Sequence, residues 1–192
     1  MVNVSITQMV PPAPDIKGSG LVVVDVQERL APAIAAAPDV VARIAALIEK
    51  AKESGIPILA TEQYSRGLGP TVAALRGLLP AGGVVEKIHF AASREAAFVE
   101  ALRARGVRHA VVAGMEAHVC VLQTALGLLA AGFAVTLVSD AVASRAALNR
   151  DAALARLARA GARIADSATL LTEWAPPELS GRGESPTLSR PA

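Results

Sequence analysis

The chain has 192 residues and a mass of 19.6 kDa, the size of one ordinary domain. Hydrophobic residues make up 53% of the sequence and charged residues 19%, which excludes a chain that lacks a packed core. Aromatic residues make up only 3%, and the net charge is +2, so the sequence offers no stacking platform for nucleic acid. We therefore expect no nucleic-acid partner.

Membrane and secretory segments are also not expected. No stretch of about 18 apolar residues runs without a charge. The first 15 residues lack the basic start and the apolar run of a secretory signal. The single cysteine, Cys120, excludes a disulfide framework and every multi-cysteine zinc pattern. These features predict a cytoplasmic protein that does not bind membranes.

Two ends without periodicity flank the patterned part of the chain. Residues 1–18 contain three prolines and predict an N-terminal surface arm. Residues 176–192 are rich in Pro, Ser, Gly and Arg and predict a flexible C-terminal tail. Residues 19–175 between them predict one domain.

Short apolar runs alternate with helix-period segments throughout this domain. Residues 21–26 are β-branched and apolar on both faces, which is typical of a strand covered on both sides. Residues 39–53 follow as an amphipathic helix with Asp39 as a candidate N-cap. Further strands are predicted at residues 56–61, 84–87, 109–113, 134–139 and 162–165. Further helices are predicted at residues 93–105 (with Ser93 as cap), 120–131, 148–160 and 168–174.

This alternation predicts an α/β fold. Strictly alternating strands and helices form a parallel sheet with helices on both faces. We therefore expect a doubly wound three-layer sandwich with a six-stranded, mostly parallel sheet. In such folds, ligands bind at the carboxyl ends of the strands near the switch in strand order.

Three chemically functional residues stand at those strand ends. Asp25 lies near the end of the first strand, Lys87 ends the third, and Cys120 follows the fourth at the entry to a helix. Each residue alone also fits a structural role: Asp25 as a turn cap, Lys87 as a solvated lysine and Cys120 as a buried small hydrophobe. A charge inside a buried strand is costly unless it is paired, so the three together indicate a site.

The three side chains support nucleophilic catalysis. The helix N-terminus and the Lys87 ammonium are both expected to lower the pKa of the Cys120 thiol, and the lysine to offset the rise that the Asp25 charge by itself would cause. Asp25 can accept the thiol proton and later deliver it to a leaving amine, while Lys87 holds Asp25 ionised. Backbone N–H groups in the turn at residues 114–120 can receive the oxyanion of a tetrahedral intermediate.

Three segments resemble the isochorismatase-like cysteine hydrolases. They are residues 22–27 (Val-Val-Val-Asp-Val-Gln), 85–87 (Val-Glu-Lys) and 114–125 (Gly-Met-Glu-Ala-His-Val-Cys-Val-Leu-Gln-Thr-Ala). Residues 139–145 (Ser-Asp-Ala-Val-Ala-Ser-Arg) add to the likeness, which runs from about residue 20 to residue 174. The short isochorismatase-domain proteins are the most similar members.

The resemblance implies a set of site residues. The family's Asp-Lys-Cys triad falls on Asp25, Lys87 and Cys120. The family also has a non-proline cis peptide bond, implied here between Met115 and Glu116. The implied oxyanion donors are the backbone amides of Glu116 and Cys120.

Departures from other family members narrow the expected reaction. True isochorismatases lack the cysteine, so Cys120 implies the amidase-like branch and cleavage of a C–N bond of a small molecule through a Cys thioester. Nicotinamidases carry an Asp-x-His metal motif where this chain has Thr61-Glu62-Gln63-Tyr64, so neither a metal nor another cofactor is expected. Members commonly self-associate, and we expect a homo-oligomer, either a dimer or a tetramer.

Candidate pocket residues lie on loops at the same edge of the sheet. They are Gln27, Gln63, Tyr64, Phe90 and His118, and a structural role stays open for each of them. Two other functions also stay open for the chain. One is a non-catalytic oligomeric binding or scaffold protein that retains the triad pocket, and the other is a thiol redox sensor, for which the chain has no resolving cysteine.

Overall fold

Six parallel strands form one sheet in the computed structural model, which describes residues 16–175. The strands are β1 (Ser19–Val24), β2 (Ile58–Gln63), β3 (Val84–Lys87), β4 (His109–Met115), β5 (Ala134–Ala143) and β6 (Arg163–Ala165). Their order across the sheet is β3-β2-β1-β4-β5-β6, and every pairing is parallel. The predicted doubly wound α/β fold is therefore confirmed.

Helices cover both faces of the sheet. They are α1 (Ala37–Glu53), α2 (Ser65–Leu68), α3 (Ala73–Arg76), α4 (Ala96–Ala104), α5 (Leu122–Ala130), α6 (Ala147–Arg159) and α7 (Ser167–Glu173). Short 3-10 turns lie at Ile16–Gly18, Ala31–Ala33 and Ala92–Arg94, and a π-helical turn at Ala117–Val121. None of the helices within residues 16–175 combines the length and the apolarity needed to cross a bilayer.

Two apolar cores lie on opposite faces of the sheet. Successive side chains of a strand point to opposite faces, so β1 supplies Leu21 and Val23 to one core and Val22 and Val24 to the other. The first core packs against α1, α3 and α7, and the second against α4, α5 and α6. This two-sided burial explains why the β1 sequence is apolar at every position from 21 to 24.

Several predicted element boundaries were wrong, among them two helix caps and the end of one strand. Asp39 is not the N-cap of α1, because the helix begins two residues earlier at Ala37 and Asp39 lies in its first turn. Ser93 is not a cap either, because it lies in a 3-10 turn and α4 begins at Ala96. Strand β5 continues past the polar pair at 139–140 to Ala143, since β4 still pairs with it beyond a register shift.

Parts of the predicted arm and tail lie outside the described residues. This applies to residues 1–15 of the arm and to the whole tail at 176–192. The last three residues of the predicted arm, Ile16–Gly18, pack on the domain. The carbonyl oxygen of Gly18 accepts a hydrogen bond of 2.8 Å from the backbone N–H of Arg108.

A buried histidine stands at the start of β4. Nε2 of His109 lies 2.7 Å from Oγ1 of Thr136 on the neighbouring strand. Burial and the positive charge of Arg163 together lower the pKa of His109 to about 4. The imidazole is therefore neutral in the folded protein near pH 7.

Acid is expected to destabilise the fold through His109. The unfolded chain binds a proton at this imidazole near about pH 6.5, whereas the folded chain does so only near pH 4. The unfolded state thus binds more protons between these values, and stability falls as the pH is lowered through them. Urea unfolding at about pH 7.5 and about pH 5 is expected to show a smaller loss in His109→Gln than in the wild type. An equal loss in both proteins would contradict this prediction.

Candidate active site

The predicted trio meets at the carboxyl edge of the sheet. Asp25 directly follows β1 and has a positive φ of 51°, a conformation that aspartate tolerates better than most residues. Lys87 is the last residue of β3, and Cys120 lies in the π-helical turn after β4. Because β3, β2, β1 and β4 are neighbours in the sheet, residues 33 to 95 positions apart in sequence come together here.

Asp25 and Lys87 form a buried ion pair. Nζ of Lys87 lies 2.7 Å from Oδ2 of Asp25, and both side chains are fully inaccessible to solvent. The other carboxylate oxygen, Oδ1, accepts a hydrogen bond of 2.7 Å from the hydroxyl of Thr61. Both oxygens of Asp25 are therefore held by side chains of other strands, Thr61 of β2 and Lys87 of β3.

The Lys87 amine also donates hydrogen bonds to three oxygens. It donates to Oε1 of Gln63 at 2.7 Å and to the carbonyl oxygens of His89 and Phe90 at 3.2 and 3.3 Å. An amine buried in this way needs such acceptors, because an unpaired buried cation is strongly destabilising. The position of Lys87 is therefore fixed by the loop that follows its own strand.

The Cys120 thiol lies close enough to Asp25 and Lys87 for both charges to act on its pKa. Burial and the nearby Asp25 charge together raise the pKa of the thiol to about 12, against the opposing effect of Lys87. Burial also raises the pKa of Asp25, although Lys87 and Thr61 lower it. The expected lowering of the thiol pKa is therefore wrong: at rest the sulfur is a neutral thiol, because it is desolvated and faces a carboxylate.

The chain turns sharply between β4 and Cys120. The peptide bond between Met115 and Glu116 is cis. The carbonyl oxygen of Glu116 accepts hydrogen bonds from Val119 and Val121 at 3.0 and 3.3 Å. The Glu116 N–H has no acceptor among residues 16–175, which leaves it available to a ligand.

Gly114 brings this turn close to β1. Its φ is +129°, and a Cβ atom there would lie 2.0 Å from the carbonyl oxygen of Val24. Any side chain would therefore push the β4 backbone away from the end of β1. Gly114 is what allows the turn that contains Cys120 to approach Asp25.

The sequence analysis assigned no role to the side chains of Glu116 and Arg145. Oε2 of Glu116 accepts hydrogen bonds from the backbone N–H and Nε of Arg145 at 3.0 and 3.2 Å, and Oε1 accepts one from Nη2 at 3.0 Å. Although burial raises it, these bonds hold the pKa of Glu116 below its ordinary value. Arg145 ends the 139–145 segment that carries the family resemblance, and this was the available signal.

A cavity of about 260 Å³ borders the Cys120 thiol. Its lining combines the carboxylates of Asp25 and Glu116 with several apolar side chains. The lining residues are Asp25, Leu30, Gln63, Leu68, Phe90, Glu116, Val119, Cys120 and Arg145. Two of the five predicted pocket residues, Gln63 and Phe90, are among them.

Gln27 belongs to the support of the site instead of its lining. Its Nε2 donates to the carbonyl oxygens of Gly69 and Gln63 at 2.6 and 3.1 Å, and its Oε1 accepts from the Gln63 N–H at 2.9 Å. The side chain is fully buried. Because backbone groups use its amide, Gln27 does not shape the cavity as predicted.

Tyr64 and His118 also lie outside the lining of this cavity. The Tyr64 ring packs over Gly67, where a Cβ atom would lie 2.3 Å from it, and the residue is exposed. Nδ1 of His118 lies 2.9 Å from Oγ of Ser144, and the imidazole lines a neighbouring depression that it shares with Phe90. Within residues 16–175, no three His, Cys, Asp or Glu side chains cluster as metal ligands.

The fold and the family comparison together define the class of this α/β protein. The family model of the isochorismatase domain matches residues 19–169, and the chain belongs to this isochorismatase domain family. Isochorismatase domain-containing protein 1 of Salmo salar is 40% identical over 149 residues, which are 78% of this chain and 52% of that protein. The chain thus spans about half the length of this relative.

Two solved structures support the same assignment. The MAR1 ribonuclease of Caenorhabditis elegans has a TM-score of 0.80 and 33% identity, over 91% of this chain and 88% of that chain. The YcaC gene product of Escherichia coli, described as an octameric hydrolase of unknown specificity, has a TM-score of 0.79 and 27% identity, over 85% and 83% of the two chains.

Removing the Asp25 charge is expected to make the thiol more acidic. Asp25→Asn removes one cause of the raised pKa of Cys120 while Lys87 remains. At a pH below the thiol pKa, each unit of lowering raises the thiolate fraction about tenfold. Iodoacetamide is therefore expected to alkylate Cys120 faster in this variant, as followed by intact-protein mass spectrometry.

Asp39→Asn, on the exposed side of α1, is the matched control and is expected to react at the wild-type rate. Far-UV circular dichroism checks that both variants are folded. A rate in Asp25→Asn equal to or below that of the wild type would show that the carboxylate does not hold the thiol protonated.

Proposed function

We propose that this hydrolase cleaves a C–N bond of a small-molecule amide through a thioester on Cys120. One observation carries the proposal: Cys120 lies beside the Asp25–Lys87 ion pair and, together with Asp25, lines a cavity of about 260 Å³. A thiol becomes a nucleophile when an adjacent base removes its proton. Asp25 is that base, and its raised pKa makes it a stronger one than an exposed aspartate.

In the first half-reaction, Asp25 accepts the thiol proton as the sulfur attacks the amide carbon. The new S–C bond turns the carbonyl oxygen into an oxyanion, which the backbone amides of Glu116 and Cys120 receive. The free N–H of Glu116 supports this role. The C–N bond then breaks, Asp25 gives its proton to the leaving nitrogen, and the acyl group remains on sulfur.

In the second half-reaction, water replaces the amine. Asp25 accepts a proton from the water as the water oxygen attacks the thioester carbon. The C–S bond then breaks, the carboxylic acid leaves, and the proton returns from Asp25 to the sulfur. The same carboxylate thus serves each half-reaction first as base and then as acid.

Lys87 supports both steps without transferring a proton. Its charge opposes the rise that burial causes in the pKa of Asp25, so that the carboxylate is ionised when the thiol must lose its proton. It also opposes the repulsion between Asp25 and a developing thiolate. We therefore assign Lys87 the role of electrostatic support.

A non-catalytic binding or scaffold protein is the second candidate function. The raised pKa of Cys120, about 12, favours it, because a thiol of this kind is unreactive on its own. Turnover distinguishes the two candidates, since a scaffold releases no amine from any amide.

Cys120→Ala is expected to abolish hydrolysis while the fold persists. Without the sulfur no thioester forms, so ammonia release from a panel of primary amides is expected to fall by roughly 10³-fold or more. In the wild type, rapid quenching and mass spectrometry are expected to detect an acylated Cys120. His118→Ala, outside the cavity, is the control and is expected to retain activity. Undiminished turnover by Cys120→Ala would exclude the thioester mechanism.

We further propose that the chain forms a homo-oligomer, a dimer or a tetramer, in the cytoplasm. The octameric state described for the E. coli YcaC gene product supports self-association. Exposed apolar side chains at the edge of the site, Ile88 and Phe90, are suited to an interface between copies.

Sedimentation equilibrium is expected to give the mass of a dimer or of a tetramer of the 19.6 kDa chain. Burial of exposed apolar side chains between copies provides the driving force. A mass equal to that of one chain at all concentrations tested would contradict self-association.

A further inference from the structure

We propose that the substrate is a small uncharged amide and that the Glu116–Arg145 ion pair imposes this specificity. This inference rests on the proposed amide hydrolysis and names its substrate class. It places Glu116 and Arg145 as specificity-determining residues: their side chains neutralise the wall of the cavity that borders Cys120.

The cavity limits the size of the acyl group. Its volume of about 260 Å³ is just below the range of about 300–1,000 Å³ that is typical of ligand pockets. An apolar cavity of about 150 Å³ holds benzene. The site therefore has room for a carboxamide together with a branched aliphatic group or a single ring.

The surface that would contact this group is apolar. Leu30, Leu68, Phe90 and Val119 supply the hydrophobic part of the lining. The polar lining residue Gln63 is already engaged on both sides of its amide, since its Oε1 accepts from Lys87 and its Nε2 donates one hydrogen bond to the carbonyl oxygen of Ile88 at 2.8 Å. Apart from the reacting carbonyl, the acyl part thus meets mainly hydrocarbon.

The charges at the cavity occur in compensated pairs. Oδ2 of Asp25 lies 2.7 Å from the Lys87 amine, and Oε1 of Glu116 lies 3.0 Å from the Arg145 guanidinium. Among residues 16–175, Arg145 is the only cation in the cavity lining, and its side chain is 65% exposed. Without Glu116 it would offer an uncompensated positive charge to a substrate carboxylate.

A negatively charged substrate therefore meets no uncompensated positive charge in this cavity. A carboxylate would lose hydration and approach Asp25 and Glu116, while the Arg145 charge is already used by Glu116. An uncharged acyl group has no ionic hydration to lose on entry, and it buries apolar surface against the four hydrophobic residues. Specificity here arises from the unfavourable entry of the wrong charge as much as from contacts with the correct substrate.

A pair of amides of matched shape tests this inference. In 4-methylpentanamide an isopropyl group occupies the place of the carboxylate of succinamate. The wild-type chain is expected to hydrolyse the uncharged amide with a kcat/KM at least about 100-fold higher. A preference for succinamate, or equal rates, would overturn the inference while leaving the amide hydrolysis intact.

Two variants are expected to move this preference in opposite directions. Glu116→Gln keeps the shape and still accepts hydrogen bonds, but it leaves Arg145 uncompensated, so the ratio of kcat/KM values shifts toward succinamate by about tenfold or more. Arg145→Met leaves the Glu116 charge in place and is expected to raise the kcat/KM for 4-methylpentanamide relative to that for succinamate. Arg145 is largely exposed, so this second variant tests the inference even where the first does not fold.

Glu173→Gln is the matched control, because it alters the separate ion pair between α7 and Arg163. Its ratio is expected to equal that of the wild type. Ratios that stay unchanged in Glu116→Gln and Arg145→Met would overturn the assignment of the pair.

Binding separates this inference from the proposed reaction. Cys120→Ala is titrated with both amides and followed by ligand-observed NMR. Preferential binding of 4-methylpentanamide, with no hydrolysis by the wild type, would retain the specificity and reject the amidase function. Binding of neither amide together with no turnover would reject both.

Discussion

The buried ion pair between Asp25 and Lys87 is the interaction on which the site depends. Two charges without solvent contact are tolerated only when both are paired and hydrogen-bonded. Here Thr61 completes the carboxylate, and Gln63 with two backbone carbonyls completes the amine. These partners come from β2 and from the loop after β3, so the pair joins three adjacent strands at their carboxyl ends. The site and the sheet edge are therefore one structural unit.

Burial that protects the ion pair also sets the chemistry of the thiol. A desolvated sulfur next to a carboxylate stays protonated, and the pKa of Cys120 is raised to about 12. The resting sulfur is thus guarded against adventitious oxidation and alkylation, which require thiolate. In the proposed reaction the proton leaves only as the sulfur attacks, because the base that accepts it, Asp25, lines the same cavity. Nucleophile and base are then activated in a single event that needs a substrate.

A second pair of charges, Glu116 and Arg145, connects the turn after β4 with the end of β5. It holds the residue whose backbone N–H faces the proposed oxyanion, and it removes net charge from the cavity wall. Gly114 permits this arrangement, because only a residue without Cβ allows β4 to approach the carbonyl of Val24 so closely. The site thus combines one constraint of backbone geometry with two compensated ion pairs, while apolar side chains form most of the remaining surface.

The sequence by itself determined the fold class, since the alternation of apolar runs and helical periods depends on local patterns. It also indicated Asp25, Lys87 and Cys120 as site residues, because charged residues at the ends of buried strands are destabilising unless they are paired. The family resemblance pointed to the Met115–Glu116 bond. Tertiary structure alone decided the direction of the thiol pKa and the pairing of Glu116 with Arg145. It also decided that the amide of Gln27 is used by the backbone. Desolvation and hydrogen-bond partners depend on distances between segments far apart in the chain, which no local pattern encodes.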